Sequence, residues 1–363
     1  MDKKIAGYGL LLLCAIISVI FVNNNERFYH RTIAKVTEVR EYENTSSDTE
    51  NQSAVFDQKL TVHILNGGDI GKTLELDNQY TKTGAYDYRY QRGDKLFLTL
   101  TVTEQQQLSG AITGVKRDQY LVLTAWLFLI FIILIGKKKG LLSALSLAVN
   151  VVIFYYALDI YRNGMNLLLL CSIIAVLFTA FSMLMVLGNN RKAYSAIISV
   201  IAATFSTMLI SYAVMLVTNE NGMRYEEMQF ITRPIFPIFI SEILLGSLGA
   251  IMDIAITISS SIYELYDSNV TDKKALIASG MQIGRDIMGT MCNILLLAYV
   301  SGSVPMILLY IKNGMPVWNA FYTNLSLELV RALTGSIGIV LAIPISLHIS
   351  IFLLHKRAKG LSS

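Results

Sequence analysis

One membrane-length apolar run, residues 235–262, carries two carboxylates on a single helical face. At about 100° per residue, Glu242, Gly246, Gly249, Asp253 and Ser260 fall within a narrow arc. The other faces are Ile, Leu, Met and Ala. A carboxylate at the bilayer centre costs at least ~2.5 kcal/mol, so such a residue faces protein interior or a wet cavity. The glycines alone have a plainer reading, close approach of a neighbouring helix. Packing does not need a carboxylate, so Asp253 is a candidate functional group.

The rest of the chain agrees with a membrane setting. Of 363 residues, 53% are apolar and only 15% charged, which is the composition of a polytopic membrane protein. The net charge of +4 is small, and no basic run is interleaved with aromatics, so nothing points to nucleic acid. Cys14, Cys171 and Cys292 all sit in apolar runs, as small buried hydrophobes do.

Lys3 and Lys4 precede an apolar run at 5–22, followed by three asparagines rather than a small-x-small cleavage pattern. That reads as an uncleaved signal anchor. Residues 26–118 then change character, with short runs of alternating apolar and polar residues. Candidate strands are 32–39, 59–65, 72–76, 95–103 and 110–115, with turns at Gly67-Gly68-Asp69 and Arg92-Gly93-Asp94. Five short strands suggest a small barrel- or OB-like β domain. Residues 42–52, rich in Ser, Thr, Asn and acid, read as a loop. His63 reads as a surface or rim histidine. Tyr80, Tyr86, Tyr88 and Tyr90 suit aromatic strand packing, or a bound partner or sugar.

Long apolar runs return at 120–135, 140–158, 167–187, 196–217, 235–262, 283–300 and 325–354, so with the anchor there are about eight spans. Lys3-Lys4, Lys137–Lys139, Arg191-Lys192, Lys273-Lys274 and Lys356-Arg357 with Lys359 then fall on one side. The other side carries Arg162, Arg224, Arg233 and Lys312 more thinly. The positive-inside rule places both termini in the cytoplasm and the β domain outside. Run 235–262, about 42 Å as a helix, is expected to tilt, protrude or break near its glycines. Pro344 is expected to kink the last helix. The piece 304–311, after Ser301-Gly302-Ser303, reads as re-entrant, interfacial or the outer end of a helix.

Every mid-span charge lies in the last three spans. Asp286, Gly289 and Asn293 share a face, with Arg285 beside Asp286 and Gln282 one turn before it. Glu328, Arg331 and Gly335 share another, and Glu328 and Arg331 at i,i+3 can pair. The topology puts Glu242, Glu328 and Arg331 at one outer level, and Asp253, Arg285 and Asp286 at one inner level. Two charged layers result. They are either register-fixing ion pairs or steps on a transport pathway.

Three stretches carry a family resemblance: GSLGAIMDIAITISSSIYEL (246–265), SGMQIGRDIMGTMCNILLLAY (279–299) and ELVRALTGSIGIVLAIPIS (328–346). Together they resemble the signature blocks of the YibE/F-like membrane proteins. The order anchor, β domain, helices is similar to the longer YibE-type members. The resemblance implies a bacterial plasma-membrane protein with a YibF-type partner, and implies no activity.

The expected architecture is an α-helical polytopic membrane protein with a small extracytoplasmic β domain inserted after the first helix. Its parts are an anchor (1–25), a β domain (26–118), a seven-helix membrane domain (119–356) and a cytoplasmic tail (357–363). The expected function is a transporter or transporter subunit, working through Glu242, Asp253, Ser260, Arg285, Asp286, Asn293, Glu328 and Arg331. Gly246, Gly249, Gly289, Gly335 and Gly338 would serve helix packing. No Gly-rich run ends in Gly-Lys-Ser/Thr, and the four histidines form no His-Glu-x-x-His motif, so neither a cofactor, a metal nor an enzyme is expected. The other reading is a scaffold or receptor whose β domain binds a cell-envelope or protein ligand. Expected partners are the lipid bilayer and either a YibF-type subunit or a second copy.

Overall fold

The computed structural model describes residues 2–44, 55–81, 87–102, 108–219, 223, 225 and 235–361. The chain divides into two compact units, Met1–Ile135 and Gly136–Ser363.

In the first unit, helix α1 (Asp2–Asn23) leads through a 3-10 turn, Glu26–Phe28, into five strands. These are β1 (Thr32–Asn44), β2 (Val55–Ile64), β3 (Thr73–Thr81), β4 (Lys95–Val102) and β5 (Leu108–Val115). All pairings are antiparallel, in the order β3-β2-β1-β4-β5. A Cβ on Gly110 of β5 would stand 3.4 Å from Leu76 and 3.8 Å from Leu74 of β3, so the two sheet edges nearly meet. The result is the nearly closed, OB-like barrel the pattern calls for. Alternation fills it: Val36, Leu60, Val62, Ile64, Leu74, Leu76, Leu96 and Leu98 point inward. Exposed His63 lies on the outer surface.

β1 and β2 extend beyond the apolar alternation, because Arg40–Asn44 pairs with Lys59–Val55 through mostly polar residues. Residues 42–44, expected in a loop, therefore belong to β1. The rest of that loop, 45–52, lies outside the described residues, as do Thr103, Tyr86, Arg224 and Arg233. Of the tyrosines, Tyr80 of β3 stacks on Phe56 of β2 at 5.2 Å, which is strand packing, whereas Tyr88 and Tyr90, 6.5 Å apart, lie in the segment between β3 and β4.

Asn66 ties the start of the barrel together. Its Oδ1 accepts from Ile33 N at 2.6 Å, and its Nδ2 lies within reach of the carbonyls of Glu26, Tyr29 and Arg31. It is 4% exposed. Asn66→Ala orphans a buried N–H and loosens three carbonyls, so it is expected to cost at least about 2 kcal/mol. The check is proteolysis of the domain in membranes, where cleavage between β1 and β3 should rise roughly tenfold or more.

Lysines pin the barrel to its flanking helices within the same unit. Buried Lys116 donates to Val22 O at 2.7 Å and pairs with Asp118 at 3.3 Å. Lys95 donates to Asn23 O and pairs with Glu26.

Six helices are long and apolar enough to cross a membrane, among the described residues. They are α2 (Asp118–Arg162), α3 (Leu167–Leu187), α4 (Arg191–Val217), α5 (Ile235–Asp267), α6 (Lys273–Lys312) and α7 (Val317–Leu361). α1 carries a shorter apolar stretch, Leu11–Asn23. Lys137, at φ 49° and ψ −126°, breaks α2 inside the Gly136–Gly140 run. Two helical arms therefore stand where the sequence calls for two spans. Asn166, Asn190 and Asp272 cap α3, α4 and α6 by accepting from backbone N–H groups of the first turn.

α5, α6 and α7 are each continuous helices. α5 is one continuous helix and does not break at its glycines, since their helical neighbours hold the ladder. α6 runs on through Gly302 and Pro305, so 304–311 is its last part rather than a re-entrant piece. α7 continues through Pro344, whose carbonyl is bonded by His348 Nδ1 at 2.7 Å.

The second unit is built on α5 and α7. The apolar windows of these helices are 44% and 50% buried, the highest shares of any helix. α4 meets α7 along small residues spaced by four: Ser195, Ser199, Ala203, Thr207 and Ser211 against Ser350, Ser346, Ala342, Gly338 and Thr334. Ser195 Oγ and Ser350 Oγ stand 2.8 Å apart, and Ser350 donates to Ser259 of α5 at 3.1 Å. A Cβ on Gly338 would come within 2.8 Å of both Thr207 and Ile251. Small residues let these backbones close in where Leu would hold them apart.

Candidate functional site

The charged level expected on the outer side is assembled. Glu242 lies two turns into α5, and Glu328 and Arg331 lie one turn apart on α7. Packing of α5 on α7 carries Glu242 to Arg331, which bonds Glu242 through Nη2 and Glu328 through Nη1. Its Cζ also sits 5.2 Å from the ring centroid of fully buried Phe239. The Arg331 side chain is only 11% exposed, and its Nε finds no acceptor among the described residues. One guanidinium thus holds two carboxylates against an aromatic face. The i,i+3 pair was visible in the sequence; the link between helices needed the fold.

The inner level is not assembled. Tyr299 of α6 lies over Gly246 of α5, and Gly280 lies against Ile262, so the two helices run antiparallel. That register places Asp253 level with the turn 289–292 of α6, and Arg285 and Asp286 about 6 Å nearer the 267–273 end. The expected common level of Asp253 and Asp286 is therefore off by one turn. Asp286 accepts from Gln282 at 3.0 Å, within its own helix. Arg285 and the carboxylate of Asp253 make no ion pair or hydrogen bond among the described residues, and both are exposed. The Asp253 carbonyl accepts from Thr257 Oγ1 at 2.8 Å. Exposed Asn293 and half-buried Ser260 join neither group.

The glycines sort the same way. Gly335 and Gly338 are packing positions as expected, against Leu295 and against Thr207 with Ile251. Gly246 is closed by Tyr299. Gly249 and Gly289 are not packing positions within the chain, because a Cβ there meets nothing within 4 Å. Gly280 and Gly284, where a Cβ would collide with Leu347 and Ile343 of α7, were missed. Their four-residue spacing was the signal.

α5 therefore has two sides. Ile243, Leu244, Leu248, Ile251, Ile254, Ala255 and Ile258 are buried. Gly249, Asp253 and Thr257 face out, while Gly246 on the same stripe is covered by Tyr299. A short polar stripe, residues 249–257, thus opens outward at the middle of the helix, and its carboxylate has no partner among the described residues. Among the described residues no group of three His, Cys, Asp or Glu could hold a metal ion.

A nearly closed β-barrel followed in the chain by six long apolar helices, among the described residues, makes this a polytopic helical membrane protein with a β domain. The family model described as YibE/F-like protein matches residues 124–356, and that of the YibE/F family N-terminal domain matches residues 27–115. The chain belongs to the YibE/F-like family. No curated protein and no solved structure matches it.

Proposed function

We propose that the chain is a transporter, or a subunit of one, that moves a proton, a small cation or a small solute across the bacterial plasma membrane. One observation carries this reading: Asp253, halfway along α5, is an exposed carboxylate with no ion-pair or hydrogen-bond partner among the described residues. A carboxylate at that depth is costly unless water or a ligand reaches it. The outer triad of Glu242, Arg331 and Glu328 forms a second polar step at the other depth. Both termini are cytoplasmic and the β domain is outside. The protein is not an enzyme and works beside a YibF-type subunit or a second copy.

The flux test uses purified protein in liposomes with an imposed gradient of protons, Na⁺, K⁺ or Mg²⁺. The expected result is dissipation of at least one gradient faster than in empty vesicles. No acceleration for any of the four would turn the reading to the β domain. There a groove of about 610 Å³ lies between Gln58 and Lys59 of β2 and Asp77, Asn78 and Gln79 of β3. It supports the second reading, a receptor or scaffold for a cell-envelope or protein ligand.

The orientation has its own test. Reporters fused after Lys138, Lys273 or Lys359 are expected to read cytoplasmic, and one inserted near Asn51 extracytoplasmic. An external signal at Lys273 would reverse α5 and α6 and remove the ordering of the two levels.

A further inference from the structure

The exposed polar residues of α5 and α6 meet no charged partner from another helix among the described residues. Gly249, Asp253 and Thr257 are exposed along α5, and Arg285, Asp286, Gly289, Thr290 and Asn293 along α6. The register given by Tyr299 over Gly246 and by Gly280 against Ile262 puts these residues within a few turns of one depth. Acyl chains offer a carboxylate, an amide or a hydroxyl no hydrogen bond. Spans 5–22, 120–135, 140–158, 167–187 and 196–217 contain no charged residue, so none brings a cation to Asp253. Arg331 is committed to Glu242 and Glu328. The cation left in these spans is Arg285.

We propose that this face docks a second copy of the chain, side by side and inserted in the same direction. A two-fold axis along the membrane normal sets equal depths opposite each other. Arg285 of one copy then stands opposite the turn that carries Asp286 and, about 6 Å higher, Asp253 of the other. The same contact is made in reverse, so the patch is its own complement. A different protein would have to supply its own cation at this depth; a second copy already has one. Gly249 and Gly289 leave room for the facing backbone, and Thr257, Thr290 and Asn293 supply hydrogen bonds across it. The inference goes beyond transport: it rests on the membrane placement of α5 and α6, and a dimer that moves no ion is consistent with it.

Cross-linking of the full chain in native membranes tests it. Cys14, Cys171 and Cys292 are first replaced by Ala, and Thr257→Cys, Thr290→Cys and Leu209→Cys are introduced singly. Leu209, 65% exposed on α4, is the control outside the face. With a short bis-maleimide, Thr257→Cys and Thr290→Cys are expected to give a product at twice the 40.4 kDa chain mass, and Leu209→Cys none. Arg285→Ala added to either is expected to lower that product at least fivefold. If one cysteine variant does not accumulate, the other decides. Normal abundance of both without a self-adduct would overturn the proposal, as would an adduct only to a chain of different mass. Because cross-linking does not require flux, its failure and failure of the transport reading are separate results.

Discussion

Asp253→Asn is expected to keep normal abundance and membrane insertion while losing gradient dissipation to the level of empty vesicles. Asn is nearly isosteric with Asp and removes a charge that α5 holds without a partner among the described residues, so insertion does not suffer. What disappears is the site for a proton or cation. A carboxylate that only filled space would tolerate the change. The measurement pairs quantified membrane protein with the liposome flux assay. Asp253→Glu is the control: it keeps the charge, and partial flux is expected to return. Full activity of Asp253→Asn would remove Asp253 from any transport role and leave the groove on β2 and β3 as the functional candidate. The open position of the side chain sharpens this test. Asp253 has no ion-pair partner among the described residues, so its neutralisation leaves no charge of the same copy bare, and the abundance measurement reports any effect on Arg285 of a second copy.

The fold was legible wherever one physical rule dominates. Hydrocarbon thickness sets the length of apolar runs, so each span from α3 to α7 was found close to its place. Period-two alternation found all five strands, and it stopped short in β1 because Arg40–Asn44 is held by pairing with β2 rather than by an apolar face. The glycines were harder. A glycine marks only that no Cβ is present, and sequence does not say whether a neighbour or open space lies beyond it. Gly246 and Gly249 sit on one stripe, yet Tyr299 closes the first and nothing in the chain reaches the second.

The charged levels failed and succeeded for a related reason. Depth along a helix follows from residue counting, but direction across the bundle depends on which faces pack. Residue counting brought Glu242 to the level of Glu328 and Arg331, and the burial of α5 against α7 completed the contact. The same counting set Asp253 beside Asp286. There α6 presents Gly280 and Gly284 to α7 and leaves Asp286 on the outside, one turn away in height. The column Ser195, Ser199, Ala203, Thr207, Ser211 and its counterpart on α7 repeat every four residues, a signal that went unread because each is weak evidence until the other is set against it.

Arg331→Ala is expected to be the most damaging single change in the second unit. It leaves Glu242 and Glu328 facing each other without their shared cation and opens the space over Phe239. Breaking a buried pair by removing one partner costs about 3–5 kcal/mol, and here two carboxylates lose the same partner. That is a large share of the stability of an ordinary domain, so membrane abundance should fall several-fold. The triple variant Arg331→Met, Glu242→Gln, Glu328→Gln removes all three charges while keeping length and volume. It is expected to recover most of the abundance, because the penalty in the single variant comes from uncompensated carboxylates rather than from a lost attraction. Thermal aggregation midpoints in mild detergent, beside abundance in membranes, measure both. If the triple variant is as unstable as Arg331→Ala, the triad is a structural requirement in its own right. If it is stable but carries no flux, the outer level is part of the pathway, and Glu242 and Glu328 act there as ionised groups held by Arg331.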